Sequence, residues 1–402
     1  MPDKILIATF SIWNSKGQTS INGMIEPLLS FFLPQSKIVD LIDGPHPGSS
    51  TVITRFDRYA NGSLKKKSLS LVSILMFPLL KIININGTQI LFKLRDFLTV
   101  FELFIISKTK YDLFIGLESI YTIAGIILKR LGLTKTVVYY VSDYIPNRYS
   151  QKWLNNLYLS LDRFCCYSAD FIWDVSPAMF DARIKAGLDP KKSAPVILVP
   201  NALFPKQISY LPLDKIKPFT LVFAGTFGPE NGLPIAILAM KRILNKFPKA
   251  KLSILGGGHT PQKELENLAR DNKVEKNIIF HGFIQDANKL SNIVKESSLG
   301  IAPYMSYPDS ARWYGDATKI RLYFGAGLPV ITTHVPPLSR EIEKYGSGII
   351  IKDNEEDLAN AVIKVFEDNN LYMRMRKEAI NFAKNNTWKN SYSSALKKMG
   401  TI

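Results

Sequence analysis

Short apolar runs alternate with longer amphipathic stretches along most of the chain. Lys4–Phe10 reads as a buried strand, followed by a polar loop with Gly17 and Gln18 and a helix predicted from about Ile21. Further strands are predicted at Asp112–Gly116, Thr136–Val141, Asp170–Val175 and Val196–Val199, with a helix over Tyr121–Leu131. A stretch rich in Pro and Lys, Leu203–Pro218, then reads as a linker. Beyond it the alternation restarts with strand Phe219–Ala224, helix Leu233–Phe247, strand Lys251–Leu255 and helix Gln262–Asn272. Strands at Ile278–His281, Gly300–Ala302 and Val330–Thr332 and a helix over Glu356–Asp368 complete the pattern. Apolar strands separated by helices build parallel sheets covered on both faces. The predicted fold is therefore α/β, with two doubly wound halves joined near residue 210 and a ligand outside the C-terminal ends of the strands.

The segment 314–331 carries the densest chemistry. Asp316, Thr318, Lys319 and Arg321 gather where a short helix is predicted to begin. Unpaired N–H groups and the positive dipole end at such a place favour an anion. Gly325 and Gly327 allow close packing or a ligand against the backbone. Two readings stand for the segment alone: a grip on a phosphorylated ligand, or an ordinary start of a helix in an α/β domain.

Composition narrows the class. The 402 residues are enough for two domains with sizeable cores, and 46% hydrophobic with 21% charged content describes a globular chain. The two cysteines are adjacent, Cys165 and Cys166, which excludes a disulfide framework and points to a reducing compartment. The N-terminus has no signal-peptide layout, so a cytoplasmic location is expected. Four scattered histidines and no carboxylate cluster give no metal site to expect.

A formal charge of +17 attracts polyanions. Lys65, Lys66, Lys67, Lys81, Lys93, Arg95, Lys108 and Lys110 surround apolar clusters at Leu69–Leu80 and Phe97–Ile106, against only Asp96 and Glu102. Neither cluster reaches the ~20 residues needed to span a bilayer. The pattern suits a surface lying on anionic lipid, or a solvated basic rim over core helices. No nucleic-acid-binding motif accompanies the charge.

The second half resembles the donor domain of GT-B glycosyltransferases, in particular the retaining group 1 (family 4) enzymes. Phe223-Ala224-Gly225-Thr226 with Asn231-Gly232 is similar to that family's first strand and phosphate loop. Leu252–Gly258 resembles its Gly-rich strand end, and Ile279–Phe283 its Phe-x-Gly turn. Gly300–Pro303 resembles the strand before the site loop, and Lys319–Ile331 the Lys-x-x-x-Tyr-x-x-x-Gly-x-Pro-Val-Ile segment. Thr387-Trp388 fits the helix that crosses back to the first domain. Each motif is weak alone, but their shared order is specific.

The resemblance implies a GT-B architecture of two Rossmann-like domains facing across a cleft. Residues 1–205, with a crossover helix 388–402, would bind the acceptor, and 206–387 the nucleotide-sugar donor. The implied reaction moves a hexose from a nucleoside diphosphate to a hydroxyl of a saccharide or lipid-linked glycan. Retention of configuration and no metal are implied with it, and the basic rim points to work on the inner face of the membrane. Donor contacts would fall on Gly17, Gly225, Thr226, Asn231, Gly256, Gly282, Tyr304, Asp316, Thr318 and Lys319. Asp143, Lys319 and Arg321 are the expected catalytic groups.

The departures are specific. The family commonly has Arg and Lys where Thr226 and Asn231 stand, and carboxylates where Leu322 and Tyr314 stand. Lys319 and Arg321 are then the cations in reach of a leaving diphosphate, and Asp316 the substitute acceptor for ribose hydroxyls. Ser142-Asp143 stands where the family often has a His-Asp pair. Asp143 can hold a sugar or acceptor hydroxyl, act as general base towards it, or cap the turn before Pro146. Tyr144, Arg148 and Glu118 are further candidates in the first half. The competing readings are an inactive GT-B scaffold and a sugar-nucleotide epimerase.

Overall fold

The computed structural model describes residues 1–14, 19–22, 24–86 and 90–401, with side chains described outside 15–23, 82–89 and 402. The chain divides into two units, Met1–Val199 with Tyr392–Ile402, and Pro200–Ser391.

In the first unit the strands are β1 (Lys4–Trp13), β2 (Thr19–Asn22), β3 (Ile38–Pro45), β4 (Arg55–Ala60), β5 (Ser63–Leu69), β6 (Tyr111–Leu117), β7 (Thr134–Val141), β8 (Phe171–Asp174) and β9 (Val196–Leu198). Its helices are α1 (Ile25–Phe32), α2 (Leu71–Leu75), α3 (Phe77–Asn86), α4 (Ile90–Ser107), α5 (Glu118–Arg130), α6 (Lys152–Ser168) and α7 (Pro177–Lys185). The sheet order is β5-β4-β3-β1-β6-β7-β8-β9, parallel from β3 to β9, with β2 antiparallel on the end of β1. This is a flavodoxin-like winding with its reversal between β1 and β6. The sequence placed a helix from Ile21, whereas Thr19–Asn22 is strand and α1 begins at Ile25. The antiparallel hairpin β4–β5 was also unforeseen, because charged residues interrupt both of its strands.

The second unit holds β10 (Thr220–Thr226), β11 (Lys251–Gly257), β12 (Ile278–Gly282), β13 (Leu299–Ala302), β14 (Val330–Thr333) and β15 (Gly348–Ile351). Its helices are α8 (Leu233–Lys246), α9 (Gln262–Asp271), α10 (Ala287–Lys295), α11 (Thr318–Gly325), α12 (Ser339–Tyr345), α13 (Glu355–Glu367) and α14 (Asn369–Asn385). Helix α15 (Trp388–Lys398) begins in this unit, and its residues from Tyr392 belong to the first. All six strands are parallel in the order β12-β11-β10-β13-β14-β15.

That order is the dinucleotide-fold winding, with its reversal between β10 and β13. Local signals agree with it. Asn354 and Asp368 accept backbone N–H bonds as N-caps of α13 and α14, and three carboxylates fill the first turn of α13. Buried residues of β10, β11, β13 and α8 form the core beneath the strand ends. Each such apolar side chain contributes roughly 1.5–3 kcal/mol by leaving water.

Candidate functional site

In a sheet of this order ligands sit outside the strand C-termini at the reversal point. The sequence puts glycines there. Gly256 has φ +135°, and a Cβ on it would lie 1.8 Å from the carbonyl oxygen of Gly225. Only glycine lets the ends of β10 and β11 run so close. Gly225 has φ +151°, and a Cβ there would stand 3.0 Å from the Lys319 ammonium.

Lys319, in the first turn of α11, reaches this edge. Its Nζ donates to Asn231 Oδ1 at 3.1 Å and lies 4.3 Å from the Phe223 ring centre and 4.8 Å from that of Tyr304. Asn231 is buried and donates in turn to Thr226 Oγ1 at 2.9 Å. Lys319 keeps partial exposure, yet desolvation of its ammonium pushes the amine down to about 7. Arg312 adds to the depression, and Glu230 opposes it. Arg312 donates to Glu230 Oε1 at 3.2 Å and lies beside Tyr304. With Lys319 protonated, these three groups leave one net positive charge at the reversal point.

Asn231 stands where the resemblance places a lysine, and Lys319 comes to it from a helix 88 residues further on. Thr226 is exposed at the end of β10, Tyr304 is a buried wall, Thr318 is exposed at the start of α11, and Gly282 ends β12. Tyr323 holds the frame, since its hydroxyl accepts from Ala224 N at 2.7 Å and donates to Ile301 O at 3.3 Å. Arg312 was not foreseen, because its contact with Glu230 joins loops 82 residues apart and leaves no local pattern.

Two expected roles need correction. Asp316 and Arg321 bind each other: Nε meets Oδ2 at 2.9 Å and Nη2 meets Oδ1 at 3.1 Å. Both side chains are nearly fully buried, 3% and 4% exposed. The carboxylate's two oxygens are turned to the guanidinium rather than to a ribose, and Arg321, although its Nη1 has no partner, is buried away from the surface a diphosphate would reach. The pair instead fixes the loop leading into α11, and so the base of Lys319.

In the first unit, Asp143 follows β7 and is half exposed, with Arg148 Nη1 at 3.4 Å. Beside it Lys93 Nζ meets Glu118 Oε2 at 2.6 Å, and His46, Tyr149 and Tyr158 line the same small cavity. Glu118 adopts φ +67°, a conformation a non-glycine residue takes only when its surroundings impose it. Burial raises its carboxyl pKa, but Lys93 and Arg148 outweigh that and lower it. Tyr144 is buried against Arg183. Cys165 and Cys166 are buried and unbridged in α6. Gly17 lies outside the described residues. Among the described residues, no group of three or more His, Cys, Asp or Glu side chains is placed to hold a metal ion.

Two doubly wound units with these strand orders define the GT-B class of fold. Over 99% of this chain and 100% of the other, the fold matches the crystal structure of HepE from Anabaena in complex with UDP, with TM-score 0.68 and 16% identity. It also matches sucrose-phosphate synthase from Thermosynechococcus elongatus over 99% and 98% of the two chains, with TM-score 0.67 and 15% identity. Residues 212–382, most of the second unit, match the family of glycosyl transferases group 1. A phosphatidyl-myo-inositol mannosyltransferase from Mycolicibacterium smegmatis is 24% identical over 156 residues, 38% of this chain. The chain's matches span only about a third of its curated relatives' lengths, 37% and 29%.

Proposed function

We propose that this chain is a hexosyltransferase that takes its sugar from a nucleoside diphosphate donor bound at the β10/β13 reversal point. The observation that carries the reading is the Lys319 ammonium, held by Asn231 at the glycine-lined ends of β10 and β11. As the sugar–phosphate bond breaks, negative charge grows on the leaving diphosphate. A fixed cation and N–H dipoles in a partly desolvated site stabilise that charge. The bond from C1 to phosphate oxygen breaks, the bond from C1 to the acceptor oxygen forms on the same face, and the hydroxyl proton passes to the leaving phosphate. Configuration is retained, and the protein supplies position and charge without a covalent nucleophile or a metal. Gly225, Thr226, Asn231, Gly256, Gly282, Tyr304 and Lys319 line the donor site in this reading. Asp143 holds the acceptor hydroxyl in the first unit.

The work takes place on anionic membrane. Leu75 is 81% and Ile105 69% exposed, with Leu71, Leu79, Ile90 and Leu94 also bare on α2–α4. Exposed Lys65, Lys66 and Lys67 lead directly into this region. Apolar side chains entering the headgroup boundary and lysines near acidic lipid act together, each lysine contributing about 1 kcal/mol. Among the described residues no helix is long and apolar enough to cross a membrane.

The test is transfer from a panel of nucleoside diphosphate hexoses to glycoside and lipid-linked acceptors, with the product anomer assigned by NMR. Transfer with retention, unaffected by a chelator, is expected. The scaffold reading rests on the missing cations at Thr226 and Asn231. It would be favoured by nucleotide binding without turnover on any acceptor.

A further inference from the structure

The two arginines between β13 and β14 are held differently. Arg321 makes a bidentate, buried pair with Asp316, and opening it would leave two buried charges alone. Arg312 instead gives Glu230 a single contact, Nη2 to Oε1 at 3.2 Å, and the two side chains are 38% and 30% exposed. A one-contact pair open to solvent is weak and exchanges partners readily. Both residues stand at the β10/β13 edge. Glu230 belongs to the turn Pro229–Asn231 that follows β10, and its backbone oxygen accepts from Met305 N at 3.0 Å, beyond β13. Its neighbour Asn231 holds Lys319. Arg312 lies on the single turn Ala311–Trp313, where Ser310 Oγ accepts from its backbone N–H at 3.2 Å. Both backbones are thus fixed, while both side chains end at the solvent boundary.

The Glu230 carboxylate folds back over Gly228, just past the end of β10, so that a Cβ on Gly228 would lie 2.6 Å from Oε2. It therefore stands at the strand-end edge where ligands of such sheets bind. Arg312 Cζ is 5.9 Å and Lys319 Nζ 4.8 Å from the Tyr304 ring centre, so the two cations share one wall. Lys319 faces a neutral amide, whereas Arg312 faces a carboxylate that cancels it. A nucleoside diphosphate carries a negative charge on each phosphorus and gains another as the sugar leaves, so a single cation under-compensates it. A carboxylate left in place would repel it. We propose that the Arg312–Glu230 contact is an exchangeable latch: Glu230 is the resident anion of Arg312, and the donor diphosphate displaces it and takes Arg312 as a second cation beside Lys319. The proposal rests on the reading of the β10/β13 edge as a donor diphosphate site, and adds to it the residue pair that sets affinity there.

The test is calorimetric titration of UDP, GDP and ADP into the full chain and into its Arg312→Gln, Glu230→Gln and Lys319→Met variants. The diphosphate that binds wild type should bind about tenfold or more weakly to Arg312→Gln, which loses a charged donor. It should bind roughly threefold or more tightly to Glu230→Gln, because the amide no longer competes for the guanidinium. Exchange requires these opposite signs, whereas a strut that only shapes the loop would weaken binding from either side. Weakening in both variants, or affinity unchanged in either one, overturns the latch. If binding is still lost in Lys319→Met, the donor site stands without the latch. A folded wild type that binds none of the three diphosphates overturns the latch and the donor reading together. If Arg312→Gln does not fold, Glu230→Gln decides alone, tighter binding supporting the latch and equal or weaker binding overturning it.

Discussion

Lys319 concentrates the physical argument into one side chain. An ordinary lysine is fully charged at neutral pH, whereas here desolvation brings the amine down to about 7. The sign of the consequence is definite. Between pH 7 and 10.5 the unfolded chain holds more protons on this residue than the folded chain, so its contribution to stability rises with pH over that window. A diphosphate reverses the local preference by favouring the charged form. Nucleotide binding above pH 7 should therefore take up a proton, and affinity should fall as pH climbs towards 9. Calorimetry in buffers of different ionisation enthalpy reads that uptake directly. Lys319→Met should lose the uptake together with the charge-assisted contact, worth about 1.5–3 kcal/mol or roughly a tenfold to hundredfold affinity change.

At the scale of elements, the loop before α11 depends on a buried ion pair. Asp316→Asn leaves the Arg321 charge uncompensated and should destabilise the protein by about 3–5 kcal/mol. The double variant Asp316→Leu, Arg321→Met should recover most of that loss in denaturant unfolding, since it removes both charges. Gly256→Ala places a methyl against the Gly225 carbonyl in a left-handed backbone, and should disrupt the β10–β11 edge and nucleotide binding together.

These elements also show what was legible in the sequence. Five of the six strands of the second unit were, β10 to β14, because buried parallel strands are continuous apolar runs such as Leu221–Ala224, whereas β15 at the sheet edge was not predicted. Hairpin β4–β5 was not, because Arg55, Asp57, Lys65 and Lys67 break both runs at a solvent-facing sheet edge. Lys319 was legible through its motif. The pairing of Asp316 with Arg321 was open to the same inspection, since a carboxylate just before a helix faces a side chain in its first turn. Arg312 and Asn231 as partners of other loops were not, because tertiary contacts between distant loops carry no periodic signal.

At the scale of the whole molecule, the +17 charge and the exposed apolar side chains of α2–α4 join in one lipid-binding surface under the proposed membrane reading. Binding to vesicles containing acidic phospholipid should weaken with salt, as screened charges require. Replacing Leu75 and Ile105 with Glu should lower vesicle binding at least tenfold in co-sedimentation, while leaving UDP affinity intact. Unchanged vesicle binding would remove the apolar side chains of α2–α4 from the role, and no vesicle binding by the wild type would return the lysines to a solvated rim. The donor site itself is tested most directly by titrating UDP into wild type and Lys319→Met by calorimetry at pH 7 and pH 8.5. Binding by wild type, weaker at the higher pH with proton uptake, and at least tenfold weaker in the variant, is the expected result. Equal affinity for UDP in both proteins, or none in the folded wild type, would contradict a donor diphosphate held by Lys319 at the β10/β13 reversal point.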